Sequence, residues 1–226
     1  MDAKSFGKYF DHTLLKPDAT VKETLKLFED AVRYGFFGVC IDTCHVPLAY
    51  RYLKDTPVKI VTVTGFPLGS SSTEAKLSET RYALENGAEE IDTVINIGAL
   101  KDKDNDYILK ELSLLSDTCH ISGASLKVIL ETCLLTDEEI ITACSLAENA
   151  GADFIKTSTG FSTGGAMASD VKLIRDTVGK RMKIKASGGI KTLASAIEMI
   201  EAGADRLGCS SSVSIMEEYI KNKKTT

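Results

Sequence analysis

One short signature recurs along this chain: a helix-like stretch ends in Gly-Ala, often followed by an acid, and a short apolar run then begins. It occurs at Gly87-Ala88-Glu89, Gly123-Ala124, Gly151-Ala152-Asp153 and Gly203-Ala204-Asp205, with a looser version at Gly35. Glycine tolerates the left-handed conformation that closes a helix, so each site reads as a helix-to-strand turn. The runs that follow are short and rich in β-branched residues, as strands buried on both faces of a parallel sheet are. They fall near 10–15, 38–42, 58–64, 90–96, 125–131, 153–158, 182–187 and 205–210. Amphipathic stretches alternate with them, several opening on capping boxes: Thr20 with Glu23, Ser71 with Glu74, and Thr136 with Glu139. In such a box the hydroxyl takes up an orphan amide of the first turn while the Glu reaches back. Eight strand–helix alternations within 226 residues predict an α/β fold, a closed (β/α)8 TIM barrel, with an open doubly wound sheet as the competing arrangement. No linker, low-complexity segment or Pro-rich stretch divides the chain, so a single domain over 1–226 is expected.

Charge and composition exclude several function classes. The formal net charge of −5 argues against a nucleic-acid surface, which needs clustered cations. The basic run Lys221 to Lys224 reads as a solvated tail. No stretch approaches the roughly 18 apolar residues of a membrane span, and MDAKSFGKYFDHTLLK carries no long apolar signal region, so a cytoplasmic protein with no membrane partner is expected. Cys40 and Cys44 with His45 form the only close Cys/His cluster, and their spacing fits no usual zinc module. Cys119, Cys133, Cys144 and Cys209 lie among apolar neighbours and read as reduced, mostly buried thiols. His12, His45 and His120 show neither a triad nor a metal arrangement and read as structural. No metal and no organic cofactor are expected.

Active sites of such barrels form at the C-terminal ends of the strands, which makes three features informative. Lys156 in FIKTSTG and Lys185 in KIKASGG stand inside apolar strands that are sequential and hence neighbours in a barrel. Burial and a second nearby cation both disfavour an ammonium, and a neutral amine is what attack on a carbonyl requires. The plainer alternative is that each lysine snorkels to a barrel mouth or pairs with an acid, and spacing does not settle which one attacks. Second, Gly-Ser turns follow the last three strands at Ser158-Thr159-Gly160, Ser187-Gly188-Gly189 and Gly208-Cys209-Ser210-Ser211, each ahead of a predicted helix. Small residues let backbone amides approach an anion, so these turns read as a phosphate site. Third, Asp92 in EEIDTVIN and Asp11 in FDHTLL are acids in apolar strands and need partners, which the two lysines could supply. Glu131 and Lys127 are candidates for the same network.

These residues resemble the deoxyribose-phosphate aldolase family, class I aldolases that interconvert 2-deoxy-D-ribose 5-phosphate with acetaldehyde and glyceraldehyde 3-phosphate. The resemblance runs from Asp11-His12-Thr13-Leu14-Leu15 almost to the C-terminus; its most specific segments are FIKTSTGF, KIKASGGIKT, VTGFPLGS, GAEEIDTVINIGAL and RLGCSSS. It implies that Lys156 forms the Schiff base, that Lys185 lowers its pKa, and that Asp92 relays protons. It further implies that Asp11 supports these groups, that Cys40 lines the substrate pocket, that Thr13, Lys127 and Thr159 belong to the substrate surroundings, and that Gly160, Gly188, Gly189, Lys191, Gly208, Ser210 and Ser211 hold phosphate. The implied partners are small phosphorylated sugar and aldehyde substrates, within a possible homodimer or homotetramer. Some members carry Lys where this chain has Phe161, many have Arg where it has Lys191, and some end in Tyr where it ends Lys-Lys-Thr-Thr. A transaldolase-like transfer of a larger unit, or a barrel that only binds a phosphorylated ligand, are the competing readings.

Overall fold

Eight parallel strands pair in chain order and close, β8 onto β1, in a computed structural model that describes residues 1–224. The strands are β1 (Phe10–Leu14), β2 (Gly38–Ile41), β3 (Lys59–Thr64), β4 (Glu90–Val94), β5 (Ser125–Ile129), β6 (Phe154–Lys156), β7 (Lys183–Ser187) and β8 (Arg206–Cys209). All eight expected runs are strands, each shorter than its apolar run because the ends bend away into the loops. Helices α1 (Ala3–Gly7), α2 (Val21–Tyr34), α3 (Val46–Leu53), α4 (Thr73–Glu85), α5 (Ile97–Lys101), α6 (Asn105–Ile121), α7 (Asp137–Asn149), α8 (Ala168–Val178), α9 (Leu193–Glu201) and α10 (Ser212–Lys224) alternate with them. The closed (β/α)8 barrel is therefore the arrangement, and the open doubly wound sheet is not.

The recurrent glycines do what their spacing predicts. Gly35, Gly87, Gly123, Gly151 and Gly203 all have positive φ, between 65° and 115°, and each ends the helix before a strand. Thr20 and Thr136 close reciprocal capping boxes with Glu23 and Glu139. The third expected box is displaced: Ser72, not Ser71, caps α4 by accepting from the Ala75 amide. The basic run is helical, Lys221 to Lys224 forming the last turn of α10, and residues 221–223 are exposed to solvent as expected. Thr225 and Thr226 lie outside the described residues. Among the described residues, no helix is long and apolar enough to cross a membrane.

The two faces of the sheet carry different chemistry. Outward-facing Val39, Ile41, Ile60, Ile91, Leu126, Val128, Ile155, Ile184 and Leu207 join one large apolar cluster with the helices. Inside, the apolar cluster is small, with Leu15, Cys40, Val61 and Val63 packed by Phe66. Asp11, Asp92, Lys127, Lys156 and Lys185 are buried as well. An interior of this kind stabilises poorly, because each buried ion must recover its lost hydration from partners. The outer layer must therefore supply most of the driving force.

One buried ion pair outside the barrel lumen ties two of the helices to the sheet. Lys76 on α4 donates to Glu111 on α6 at 2.6 Å and to the Val94 carbonyl at the end of β4 at 2.8 Å, and both side chains are fully buried. Removing one partner of such a pair leaves the other charge without compensation, at a cost of about 3–5 kcal/mol. Lys76→Met should lower the unfolding free energy by that amount in a urea titration, with Glu111→Gln similarly costly.

Candidate active site

The register of the strands brings the sequence's odd residues to one place. Asp92 on β4 is opposite Lys127 on β5, and Lys156 on β6 is opposite Lys185 on β7. The Asp92 carboxylate divides itself among all three ammonium groups: Lys127 donates to Oδ1 at 2.7 Å, while Lys156 and Lys185 both donate to Oδ2 at 2.8 Å. Lys185 also lies 2.6 Å from Asp11 Oδ2, and Cys40 Sγ sits 4.0 Å from Asp92. Two glycines make room for this packing. A side-chain carbon at Gly208, opposite Ser187 and Asp11 in the register, would stand 2.9 Å from Lys185 Cε. One at Gly38, on the other flank of Asp11, would stand 3.3 Å from its Oδ1.

These contacts fix the sign of the electrostatics. Burial alone would raise the Asp92 carboxyl, but Lys127, Lys156 and Lys185 hold it well below the usual carboxylate range. Asp11 is lowered in the same way, burial being outweighed by Lys185 and Arg206. The expectation that burial would depress the Lys185 pKa fails. Burial does pull it down, but Asp11 and Asp92 outweigh that and raise it above the ordinary lysine value. Lys127 is likewise raised, with Asp92 and Glu90 overcoming burial. Lys185 is thus a fixed cation beside Lys156, and a source of positive potential rather than a second neutral amine. Burial raises the Cys40 thiol.

A cavity of about 260 Å³ opens at the C-terminal ends of β1, β6, β7 and β8. Of the charged cluster, Lys156 alone lines it; Asp92, Lys185, Lys127, Asp11 and Cys40 lie beneath. The cavity wall includes Thr13, Thr159, Gly160, Gly188, Gly189, Lys191, Gly208 and Ser210, so the glycine-serine turns after the last three strands do converge. Ser211 does not line it; its carbonyl accepts from Ser214 at the start of α10. The turn after β6 also departs from expectation, since residues 157–167 run on before α8 begins rather than opening directly into a helix. This loop is pinned to its neighbour: the Ala166 amide donates to Gly188 O at 2.9 Å and the Ser187 hydroxyl to Ser158 O at 2.6 Å.

Other expected residues sort themselves by contact. Glu131 stays out of the lysine network and instead accepts from the Thr159 amide and hydroxyl, so it positions the loop carrying Gly160. Phe161 is half exposed and packs edge-on against Phe66 at 5.4 Å. Phe66 in turn has its ring centroid 6.0 Å from Lys156 Nζ. Cys133 is exposed, unlike Cys119, Cys144 and Cys209, which are buried as expected. None of the three histidines lines the cavity. Among the described residues, no group of three or more His, Cys, Asp or Glu is placed to hold a metal ion.

Sequence reasoning passed over Glu90 and Arg206. Glu90 lies 2.6 Å from Lys127, and Arg206 donates to Asp11 at 2.8 Å. Glu90 shares the inward face with Asp92 because strand side chains alternate, and that spacing was the available signal. It also missed Lys16, exposed on the loop after β1, which lines the cavity with Lys191.

Known proteins resemble this chain over most of its length. Residues 7–216 match the DeoC/LacD family aldolase. A deoxyribose-phosphate aldolase from Thermococcus gammatolerans is 53% identical, the alignment covering 96% of this chain and 97% of that one. One from Clostridium botulinum is 53% identical over 93% of this chain and 99% of its own. A solved deoxyribose phosphate aldolase from Aeropyrum pernix, described as a unique tetramer, superposes with a TM-score of 0.92 at 32% identity, covering 98% of this chain and 93% of that one.

The buried His12 tests the structural role of the histidines. Burial, partly opposed by Asp30, pulls its pKa down to about 4 from 6.5. Between these values the unfolded chain binds a proton that the folded chain refuses. The His12 contribution is thus fully present above pH 6.5 and is lost as the pH falls towards 4, by about 3 kcal/mol. His12→Leu should flatten that part of the stability–pH curve in urea titrations, while leaving turnover in place.

Proposed function

The chain belongs to the DeoC/LacD aldolase family, and within it we propose that it reversibly cleaves 2-deoxy-D-ribose 5-phosphate to acetaldehyde and D-glyceraldehyde 3-phosphate through a Schiff base on Lys156. The observation that carries this reading is that Lys156 is the one member of a buried charge cluster facing the cavity. The activity for which the relatives are named supports the choice of substrate.

The unprotonated Lys156 amine attacks the C1 aldehyde of the open-chain sugar, and loss of water gives an iminium. That cation accepts the electron pair of the C2–C3 bond, so glyceraldehyde 3-phosphate leaves and an enamine remains. Lys185, kept charged by Asp11 and Asp92, has a proton to give, and Asp92 is an acceptor. Together, directly or through water, they move the proton from the C3 hydroxyl and return one to C2 of the enamine. Hydrolysis of the resulting iminium frees acetaldehyde and Lys156. The phosphate lies against Gly188, Gly189 and Ser210, with Lys16 and Lys191 at the cavity mouth, where it contributes binding energy remote from the breaking bond. Phe66 and Phe161 form an apolar wall beside the amine.

Borohydride treatment in the presence of substrate should leave a reduced adduct on Lys156, mapped by mass spectrometry. An adduct on Lys185, or on no lysine, would overturn the assignment. Lys156→Ala should abolish turnover with the circular dichroism of the barrel unchanged. Lys185→Leu should lower kcat/KM by roughly 10²–10⁴-fold, the range for a proton-transfer group. It should also move the acidic limb of the pH–rate profile upward, because a fixed positive charge beside the amine is lost.

A further inference from the structure

The contacts below the cavity form a closed circuit. From Asp92 the path runs to Lys185 (2.8 Å), Asp11 (2.6 Å), Arg206 (2.8 Å), Glu90 (3.5 Å), Lys127 (2.6 Å) and back to Asp92 (2.7 Å). Its members alternate in sign, three carboxylates with three cations. Lys156 is a seventh charge, attached to the circuit only through Asp92. When the six are ionised their charges cancel, so Lys156 can shed its proton without leaving a buried carboxylate uncompensated. The circuit is therefore an electrostatic counterweight to the attacking amine. Arg206 is held firmly in it, its guanidinium 3.2 Å from the Phe37 ring centroid and 5.6 Å from that of Phe154.

We infer that Glu90 and Arg206, which do not line the cavity, are positioning residues that set the protonation of Lys156 through this circuit. The inference rests on the reading of Lys156 as the attacking amine. The ionisable groups around the amine are Asp11 from β1, Cys40 from β2, Glu90 and Asp92 from β4, Lys127 from β5, Lys185 from β7 and Arg206 from β8. On β3, Val61 and Val63 face the interior and carry no charge. Lys183, exposed at the start of β7, lies 5.4 Å from the Phe154 ring, and Lys16 and Lys191 line the cavity from its mouth. Asp11, Glu90 and Arg206 are each separated from Asp92 by another member, and since Asp11 pairs directly with Lys185, Glu90 and Arg206 are the two members that pair with neither Asp92 nor Lys185.

Opposite charges removed from one circuit must act in opposite directions, which a merely structural role would not do. The test is the pH dependence of kcat/KM for sugar-phosphate cleavage by the full chain and its variants, because this parameter reports ionisations of the free enzyme. Glu90→Gln removes a negative charge and should move the acidic limb to lower pH by roughly one unit. Arg206→Met removes a positive charge and should move it to higher pH by a similar amount. Arg206→Lys keeps the charge and should keep the wild-type limb, even where kcat falls. Limbs that stay in place, or that move the same way in Glu90→Gln and Arg206→Met, would overturn the inference. Should Arg206→Met fail to fold, a downward shift in Glu90→Gln with none in Arg206→Lys supports it, and any other pattern overturns it. Borohydride trapping on the wild type separates the two claims. No adduct at Lys156 sinks the catalytic reading, whereas an adduct there with unmoved limbs sinks the circuit alone.

Discussion

The Asp92 carboxylate has two oxygens and serves three ammonium groups, Lys127 on one oxygen and Lys156 and Lys185 on the other. Taking four charges out of water costs several kcal/mol for each ion, and only close, well-directed partners recover it. That requirement reaches into the fold. β4 must pair with β5 so that Asp92 meets Lys127, and β6 with β7 so that Lys156 meets Lys185. β8 must offer a glycine where Lys185 passes, and β1 must bring Asp11 to the far side of the same lysine. A strand slipped by one residue would turn these side chains into the helical layer and strand their partners.

Much of this was legible in the sequence, and the failures have physical causes. Gly-Ala punctuation announced the alternation because only a left-handed glycine ends those helices cheaply. Lys156, Lys185 and Asp92 were legible because an ionisable group in an apolar strand has no bland solution without partners. Glu90 and Arg206 were hidden by position: each stands at the start of its strand beside another charged residue, Glu89 or Asp205, and so resembles a solvated end. The sign of the Lys185 shift was not readable, because it depends on how far Asp11 and Asp92 outweigh burial, and both come from distant strands. The Ser71 assignment failed over one residue, since neighbouring serines are equivalent to a spacing rule and only backbone geometry picks Ser72.

The cavity combines a rigid base with less constrained rims. Lys156 sits on a strand buried on every side, whereas Lys16 and Lys191 stand on exposed loops. The covalent step proposed for Lys156 needs its amine placed to within a fraction of an ångström. The phosphate proposed for the mouth needs positive charge and backbone amides, and it tolerates looser placement. Glu131 and the Gly188 carbonyl bridge the two regimes by tying the loop after β6 to rigid neighbours.

The unequal distribution of apolar residues across the sheet has a consequence for how the molecule tolerates change. One face of the strands meets close apolar packing with the helices, and the other, apart from the small apolar patch of β2 and β3, meets a small lattice of ions. Along a strand the two sets alternate residue by residue, so adjacent positions answer to different demands. Substitutions on the outer set are judged by volume, and those on the inner set by charge balance. The barrel wall thus works as a partition between durability and reactivity. New chemistry on this scaffold can be sought by rewriting the inner set as balanced groups of charges, while the outer set keeps the chain folded.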